Sequence, residues 1–275
     1  MKLRVKLIKS EMKKLIIAVL FSGVFLTACK KEVSTPMPTG KGPLRVYFEH
    51  IFGASTFNLG QNYITANNDT MNFSLFNYYV SNFELVKSDG SVYTYPVDSS
   101  YFLVKESIDS SRTITLKNIP AGEYVSVRFI IGVDSLRNTM PLTSRTGILD
   151  PSTGAAGMYW AWNTGYIFLK SEGTCSAAPT AMGMNHIFQH HIGLYGGLNS
   201  PTINNVKKLN LTFPGTYKAI VGKGLAPWVH FKVDISKMYT DFDFEKYAVV
   251  MANPYSATIA NIYATIFAIA HVHND

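Results

Sequence analysis

The stretch Leu44-Arg-Val-Tyr-Phe-Glu-His50 alternates, with Leu44, Val46, Phe48 and His50 on one side and Arg45, Tyr47 and Glu49 on the other. Successive side chains of an extended chain point to opposite faces, so this period of two predicts a half-buried β-strand. The same alternation recurs at residues 112–116, 123–131, 206–213 and 229–235. Residues 78–86 and 91–95 flank Ser88-Asp89-Gly90, a hairpin signal, and Asn118-Ile-Pro-Ala-Gly122 is a second turn. Short strands separated by such turns predict an all-β fold, an antiparallel β-sandwich of immunoglobulin-like or related type. Residues 256–266 follow Pro254 and carry Ile259, Ile262, Tyr263 and Ile266 at helical spacing, which predicts one short helix near the C-terminus. Residues 147–157 and 173–183 read as loops, and no internal repeat or domain boundary follows residue 42.

Upstream of this body lies an address. Met12–Cys29 has two lysines, an apolar run from Leu15 to Leu26, and Leu26-Thr27-Ala28-Cys29. The run is short for a membrane span and fits a signal-peptide core, and its ending resembles the bacterial lipobox, whose cysteine becomes the lipidated first residue. Residues 1–28 are therefore expected to be a lipoprotein signal peptide with Met12 as a natural start. Residues 29–42 are a Ser/Thr/Pro/Gly-rich tether, and 43–275 are the domain. Lipidation at Cys29 implies a cell-envelope protein anchored to the outer membrane, facing either the periplasm or the cell surface.

The 275 residues include 25 Lys+Arg and 18 Asp+Glu, a formal net charge of +7. Removing the leader leaves 19 bases and 17 acids, and residues 42–275 hold 16 of each. A neutral domain has no electrostatic footprint for nucleic acid. With Cys29 consumed by lipid, Cys175 has no disulfide partner, and two cysteines cannot make a four-thiolate zinc site.

The chemistry must come from seven histidines, because the chain has no His-Glu-x-x-His, phosphate-cradling glycine loop, Gly-x-Ser-x-Gly or Cys-x-x-Cys. His50 ends the apolar row of its strand. If residues 267–273 are extended, His271 and His273 share a face with Phe267 and Ile269. In immunoglobulin-like sandwiches a first-strand segment can run parallel to the last strand, which would bring these ends together. Three neutral imidazoles there suit copper or zinc, and residues i and i+2 on a strand can chelate one ion. The plainer reading makes His271 and His273 a polar tail and His50 a hydrogen-bonded core residue. His190 and His191 are second-choice ligands; being adjacent, they face opposite ways and only one can join a given site. His230 falls with Trp228, Lys232 and Asp234, opposite Val229, Phe231 and Val233, and is read as solvent-facing.

The block Met158-Tyr-Trp-Ala-Trp162-Asn-Thr-Gly-Tyr166-Ile-Phe-Leu-Lys170 is the densest aromatic stretch. Its default role is core packing; the alternative is a platform for stacking sugars. Trp160 and Trp162 are also candidate oxidisable residues near a bound metal.

Several segments together resemble the copper-binding MbnP-like domain family. They are Asn77-Tyr-Tyr-Val-Ser-Asn-Phe-Glu-Leu85, Gly122-Glu-Tyr124, Gly132-Val133, the Trp160-x-Trp162-x-x-Gly-Tyr166 block, and His271-Val-His273-Asn-Asp275. The family is named for a periplasmic protein associated with methanobactin operons, and lipoproteins of Bacteroidetes-type bacteria are similar to it. The resemblance implies a β-sandwich holding copper, as Cu+ or Cu2+, through histidines, with a tryptophan near the metal oxidised to kynurenine in some members. Carried onto this chain, His50, His271 and His273 are the first-choice ligands. Phe48 stands where a Trp-x-His arrangement would place the tryptophan, so no kynurenine forms there. The implied function is copper acquisition, storage or delivery, with a redox or transport protein as partner and the membrane reached through Cys29; redox catalysis at a copper site with an open coordination position is a third reading, though no residue announces a substrate. The alternative is a surface binding or adhesion module for a glycan or protein, with structural histidines.

Overall fold

In β1 (Lys41–Phe52) the side chains of Leu44, Val46, Phe48, His50 and Phe52 are buried, and those between them are partly exposed. The computed structural model to which this strand belongs describes residues 37–160, 165–180, 183, 185–197 and 200–274. The leader, Cys29 and Trp162 lie outside these residues. Pro38–Asp275 form one compact unit.

After β1 come β2 (Ser55–Thr56), β3 (Asn62–Ile64), β4 (Thr70–Lys87) and β5 (Val92–Thr94), the last two joined by the turn at Gly90, which takes φ +84°. β6 (Tyr101–Lys105) precedes β7 (Thr113–Pro120) and β8 (Gly122–Ile131), which are linked through the predicted turn. β9 (Ile167–Cys175), β10 (Ile187–Gly193), β11 (Lys207–Thr212) and β12 (Ala219–Val221) follow. β13 (Trp228–Asp234), β14 (Val249–Val250) and β15 (Phe267–His273) complete the strands. Helices are short: α1 (Ser135–Thr139), α2 (Phe244–Tyr247) and α3 (Tyr255–Tyr263), the last being the helix expected near the C-terminus.

Among the described residues the strands make two sheets, confirming the all-β sandwich. The first runs β15-β13-β1-β2, with β7 also on β1; the second runs β11-β8-β4-β9-β10-β14, with β12 on β8 and β3, β5 and β6 on β4. β4 is long enough to serve two partners: residues 71–78 pair with β9 and residues 80–87 with β8. The expected loop at 173–183 begins later, because Gly173 lies inside β9. A Cβ there would sit 2.0 Å from the Asn72 carbonyl oxygen, so this glycine marks a close backbone approach and not a turn.

The inward rows of the two sheets meet in a core of rings. Phe48 packs edge-on against Tyr78 (centroids 6.0 Å) and Phe129 (6.2 Å), and lies beside Phe231 (5.1 Å). Phe267 joins them against Tyr78 at 5.5 Å and Phe129 at 6.0 Å. These edge-to-face contacts add to the apolar area removed from water, about 1.5–3 kcal/mol for each fully buried side chain. A second cluster forms on the outer face of the β4 sheet, where Tyr79, Met158, Trp160, Tyr166 and Phe168 are buried together.

Phe48→Ala is expected to lower the unfolding free energy by about 3–5 kcal/mol, whereas Glu49→Ala on the outward face costs less than about 1 kcal/mol. Urea denaturation of both variants checks the assignment of faces, and comparable losses would contradict it.

Candidate metal centre

β13 is the hinge of the site, since it pairs parallel with β1 on one side and antiparallel with β15 on the other. The registers put Tyr47 opposite His230 and His230 opposite His271, so that Tyr47, His230 and His271 form one row across three strands. The neighbouring row is Arg45, Trp228 and His273. Both rows lie on the outer face, because Val46, Val229 and Val272 between them are buried.

A one-residue irregularity brings the histidines onto that face. Val233 pairs with Phe267 and Phe231 with Ile269, but His230 pairs with His271, so Ala270 is the extra residue of a β-bulge. A bulge exchanges the two faces beyond it. Phe267 before it and Val272 after it are both buried, five residues apart, and no unbroken period of two can produce that. The expectation that His271 and His273 share the face of Phe267 and Ile269 is therefore corrected: they point outward.

His230, His271 and His273 each offer a ring nitrogen, and these atoms all lie within 4.8 Å of one another; His271 is exposed and the other two are partly buried. The cluster contains no carboxylate or thiolate. The His230 and His271 rings stack at 4.3 Å with 16° between planes. His230 Nε2 and His273 Nε2 are 2.9 Å apart, a distance at which one imidazole donates its N–H and the other accepts. Two nitrogens aimed at one shared proton, with a third beside them, form a donor set that a metal ion fits when it takes that proton's place. Around the cluster, Trp228 lies parallel to His273 (6.2 Å, 7°), Tyr47 stands edge-on to His230 at 5.5 Å, and the Arg45 guanidinium covers Trp228 at 5.2 Å.

His50 is not part of this group. Its strand is parallel to β13 rather than to the last strand, and His50 pairs with Val233, several residues from Trp228 and His230 and on the inner face. The predicted meeting of strand ends does not occur, because β13 separates β1 from β15. His50 is fully buried, with Nδ1 on the Glu106 carboxylate and Nε2 2.8 Å from the Tyr78 hydroxyl. Burial lowers its pKa, and the hydrogen bond to Glu106 opposes this only in part. Both ring nitrogens are thus committed inside the core.

His190 and His191 do face opposite ways. His190 sits among Phe188, Tyr239, Phe242 and Phe244, with Nε2 3.1 Å from the Tyr247 carbonyl oxygen, and burial pushes its pKa down to about 4. On the opposite face His191 Nε2 is 2.6 Å from Glu172. Neither belongs to the cluster of three. Trp160 is also elsewhere. It is buried in the outer cluster of the β4 sheet, lying on Gly193 where a Cβ would meet its ring at 2.6 Å. It offers neither an exposed sugar platform nor a neighbour to the three histidines, and the tryptophan beside them is Trp228.

The sequence profile of the MbnP family, described as MbnP, matches residues 41–253. Among solved structures, MbnP from Methylosinus trichosporium matches with a TM-score of 0.50 at 15% identity, over 77% of this chain and 81% of that one. At that identity the likeness concerns the fold. No curated protein matches the chain.

The two interior histidines set a pH dependence. Their folded pKa values lie below the ordinary 6.5, so the unfolded chain binds more protons once pH falls through that value. The stability due to keeping them neutral is complete above pH 6.5 and is lost as pH falls towards their folded values, by at most about 1.4 kcal/mol per pH unit for each. Unfolding free energies measured between pH 7.5 and 5.0 are expected to fall with acid, and His190→Gln to flatten the slope. An unchanged slope in that variant contradicts the role given to His190.

Proposed function

The chain belongs to the MbnP family, and from that premise we propose that it is a copper-binding protein of the cell envelope that holds its ion through His230, His271 and His273. One observation carries the reading: three imidazoles with ligand atoms within 4.8 Å of one another, on an accessible sheet face. Imidazole is a good donor for copper in either common oxidation state. Three histidines at the surface, one of them exposed, leave coordination positions open to an incoming or departing ligand. That arrangement suits acquisition, storage or delivery of copper better than permanent burial of a cofactor. The His50, Glu106 and Tyr78 cluster serves the core in this reading, and it is the outer face of the first sheet that a redox or transport partner meets.

The same proposal includes the anchor. The lipobox-like Leu26-Thr27-Ala28-Cys29 supports cleavage before Cys29, lipidation of that cysteine and attachment to the outer membrane, with residues 30–42 as the leash. Among the described residues no helix is long and apolar enough to cross a membrane. The neutral balance of residues 42–275 supports a metal ion over nucleic acid as the ligand.

Copper titration of the purified protein, followed by quenching of tryptophan emission and by metal analysis, is expected to give one equivalent bound. Single His230→Ala, His271→Ala and His273→Ala variants should each weaken binding by more than the roughly 10–100-fold typical of outer-shell changes. His50→Gln should leave affinity unaltered. Equal affinity in the His271→Ala/His273→Ala double variant and the parent sinks the assignment. For the anchor, growth with labelled palmitate should mark the wild-type protein, and Cys29→Ala should abolish both the label and recovery in the membrane fraction.

A further inference from the structure

We propose that Asn274 is a positioning residue of the histidine centre: its side-chain amide ties the end of β15 to the second sheet and so holds His273 in place for a metal ion. The inference rests on the reading of His230, His271 and His273 as a copper site and adds a residue that acts through one of the ligands. His273 is the last residue of β15, and β15 is the edge strand of its sheet, in the order β15-β13-β1-β2. Beyond the bulge at Ala270 the ladder consists of three pairs, His271 with His230, Val272 with Val229 and His273 with Trp228. Such a short run at a sheet edge is loosely held unless something ties it down. Metal ligands must nevertheless be held within about 0.5 Å of their productive geometry.

The tie sits directly after the ligand. Asn274 Oδ1 accepts from the Ile220 N–H at 2.7 Å, and Asn274 Nδ2 donates to the Lys218 carbonyl oxygen at 3.0 Å. Residues two apart on an extended chain offer their amide and carbonyl along the same edge, so one planar side-chain amide satisfies both, as a further strand would. Ile220 lies in β12, which pairs with β8 of the second sheet, Ala219 with Tyr124, Ile220 with Glu123 and Val221 with Gly122. The Asn274 amide therefore joins the two sheets beside the histidines. Fixing the residue after His273 leaves little play in the His273 backbone. The ring is steadied separately, since it lies parallel to Trp228 at 6.2 Å and 7°. Together these contacts keep His273 Nε2 at 2.9 Å from His230 Nε2. Asn274 is itself exposed, so removing its amide opens no cavity in the core.

The test measures copper affinity, by competition with a chromophoric copper chelator, in the purified parent, Asn274→Ala and Lys218→Ala. Asn274→Ala removes both hydrogen bonds, whereas Lys218→Ala trims a side chain at the same place and keeps the carbonyl acceptor. Asn274→Ala is expected to weaken copper binding by about 10-fold, the lower end of outer-shell effects, and to leave the urea midpoint of the metal-free protein unchanged. Lys218→Ala should keep both at parental values. Hydrogen exchange of the metal-free protein gives a second readout: the Ile220 N–H should be protected in the parent and exchange faster in Asn274→Ala. Parental copper affinity in Asn274→Ala overturns the role of Asn274 and leaves the histidine site standing. So does an equal loss in Lys218→Ala, a lowered urea midpoint in Asn274→Ala, or an Ile220 N–H that is unprotected in the parent. If the parent takes up no copper, the histidine reading and this inference fail together.

Discussion

The parallel register of β1 on β13 is the constraint on which the rest of the arrangement depends. Once Arg45 lies beside Trp228 and Ile51 beside Asp234, every inward residue of one strand meets an inward residue of the other. Phe48 is thereby set on Phe231, and both face Phe129 across the core. The same register separates the two histidine environments. His50 is carried to the interior beside Val233, and Tyr47 and His230 are left together on the outside. A shift of one residue would turn Phe48 to solvent and bring Glu49 into the core. The aromatic packing and the candidate site therefore share one cause.

Interior and exterior histidines in this protein obey different physics. His50 and His190 are surrounded by rings and backbone, so burial disfavours their charged forms and their nitrogens are spent on Glu106, Tyr78 and the Tyr247 carbonyl. Such residues specify a core: their partners are fixed, and removing one leaves a buried polar atom unmatched. His230, His271 and His273 have one another as neighbours and solvent above them. Their ring nitrogens lie within 4.8 Å of one another, so their chemistry faces outward rather than into the core. The chain belongs to the MbnP family, and the grouping of these three histidines is read from its own strands.

Much of the fold was legible in the sequence because period two survives wherever a strand has one wet face. β1, β7, β8, β11 and β13 fall where the alternation lies, and α3 falls where the i, i+3, i+4, i+7 spacing lies. Legibility failed where a residue type carries two meanings. Gly173 signals a turn by composition and a close backbone approach in fact. The aromatic block holding Trp160 and Tyr166 could not reveal its exposure, and both proved to be buried on the outer face of the β4 sheet. Alternation makes His230 solvent-facing, and it does lie on the outer face, but half-buried among Tyr47, Trp228, His271 and His273, because nothing in a single strand tells which residue stands beside it on the next.

The sequence by itself determined the alternation that makes a sandwich, the apolar and aromatic content of its core, the neutrality of its domain and the presence of His271 and His273 two residues apart. Only the tertiary structure decided which face those histidines take and which third histidine joins them. The physical reason is that strand periodicity is local, whereas pairing register and the bulge at Ala270 are properties of two strands together. One unpaired residue exchanged the faces of β15, and a parallel neighbour far away in sequence replaced His50 with His230.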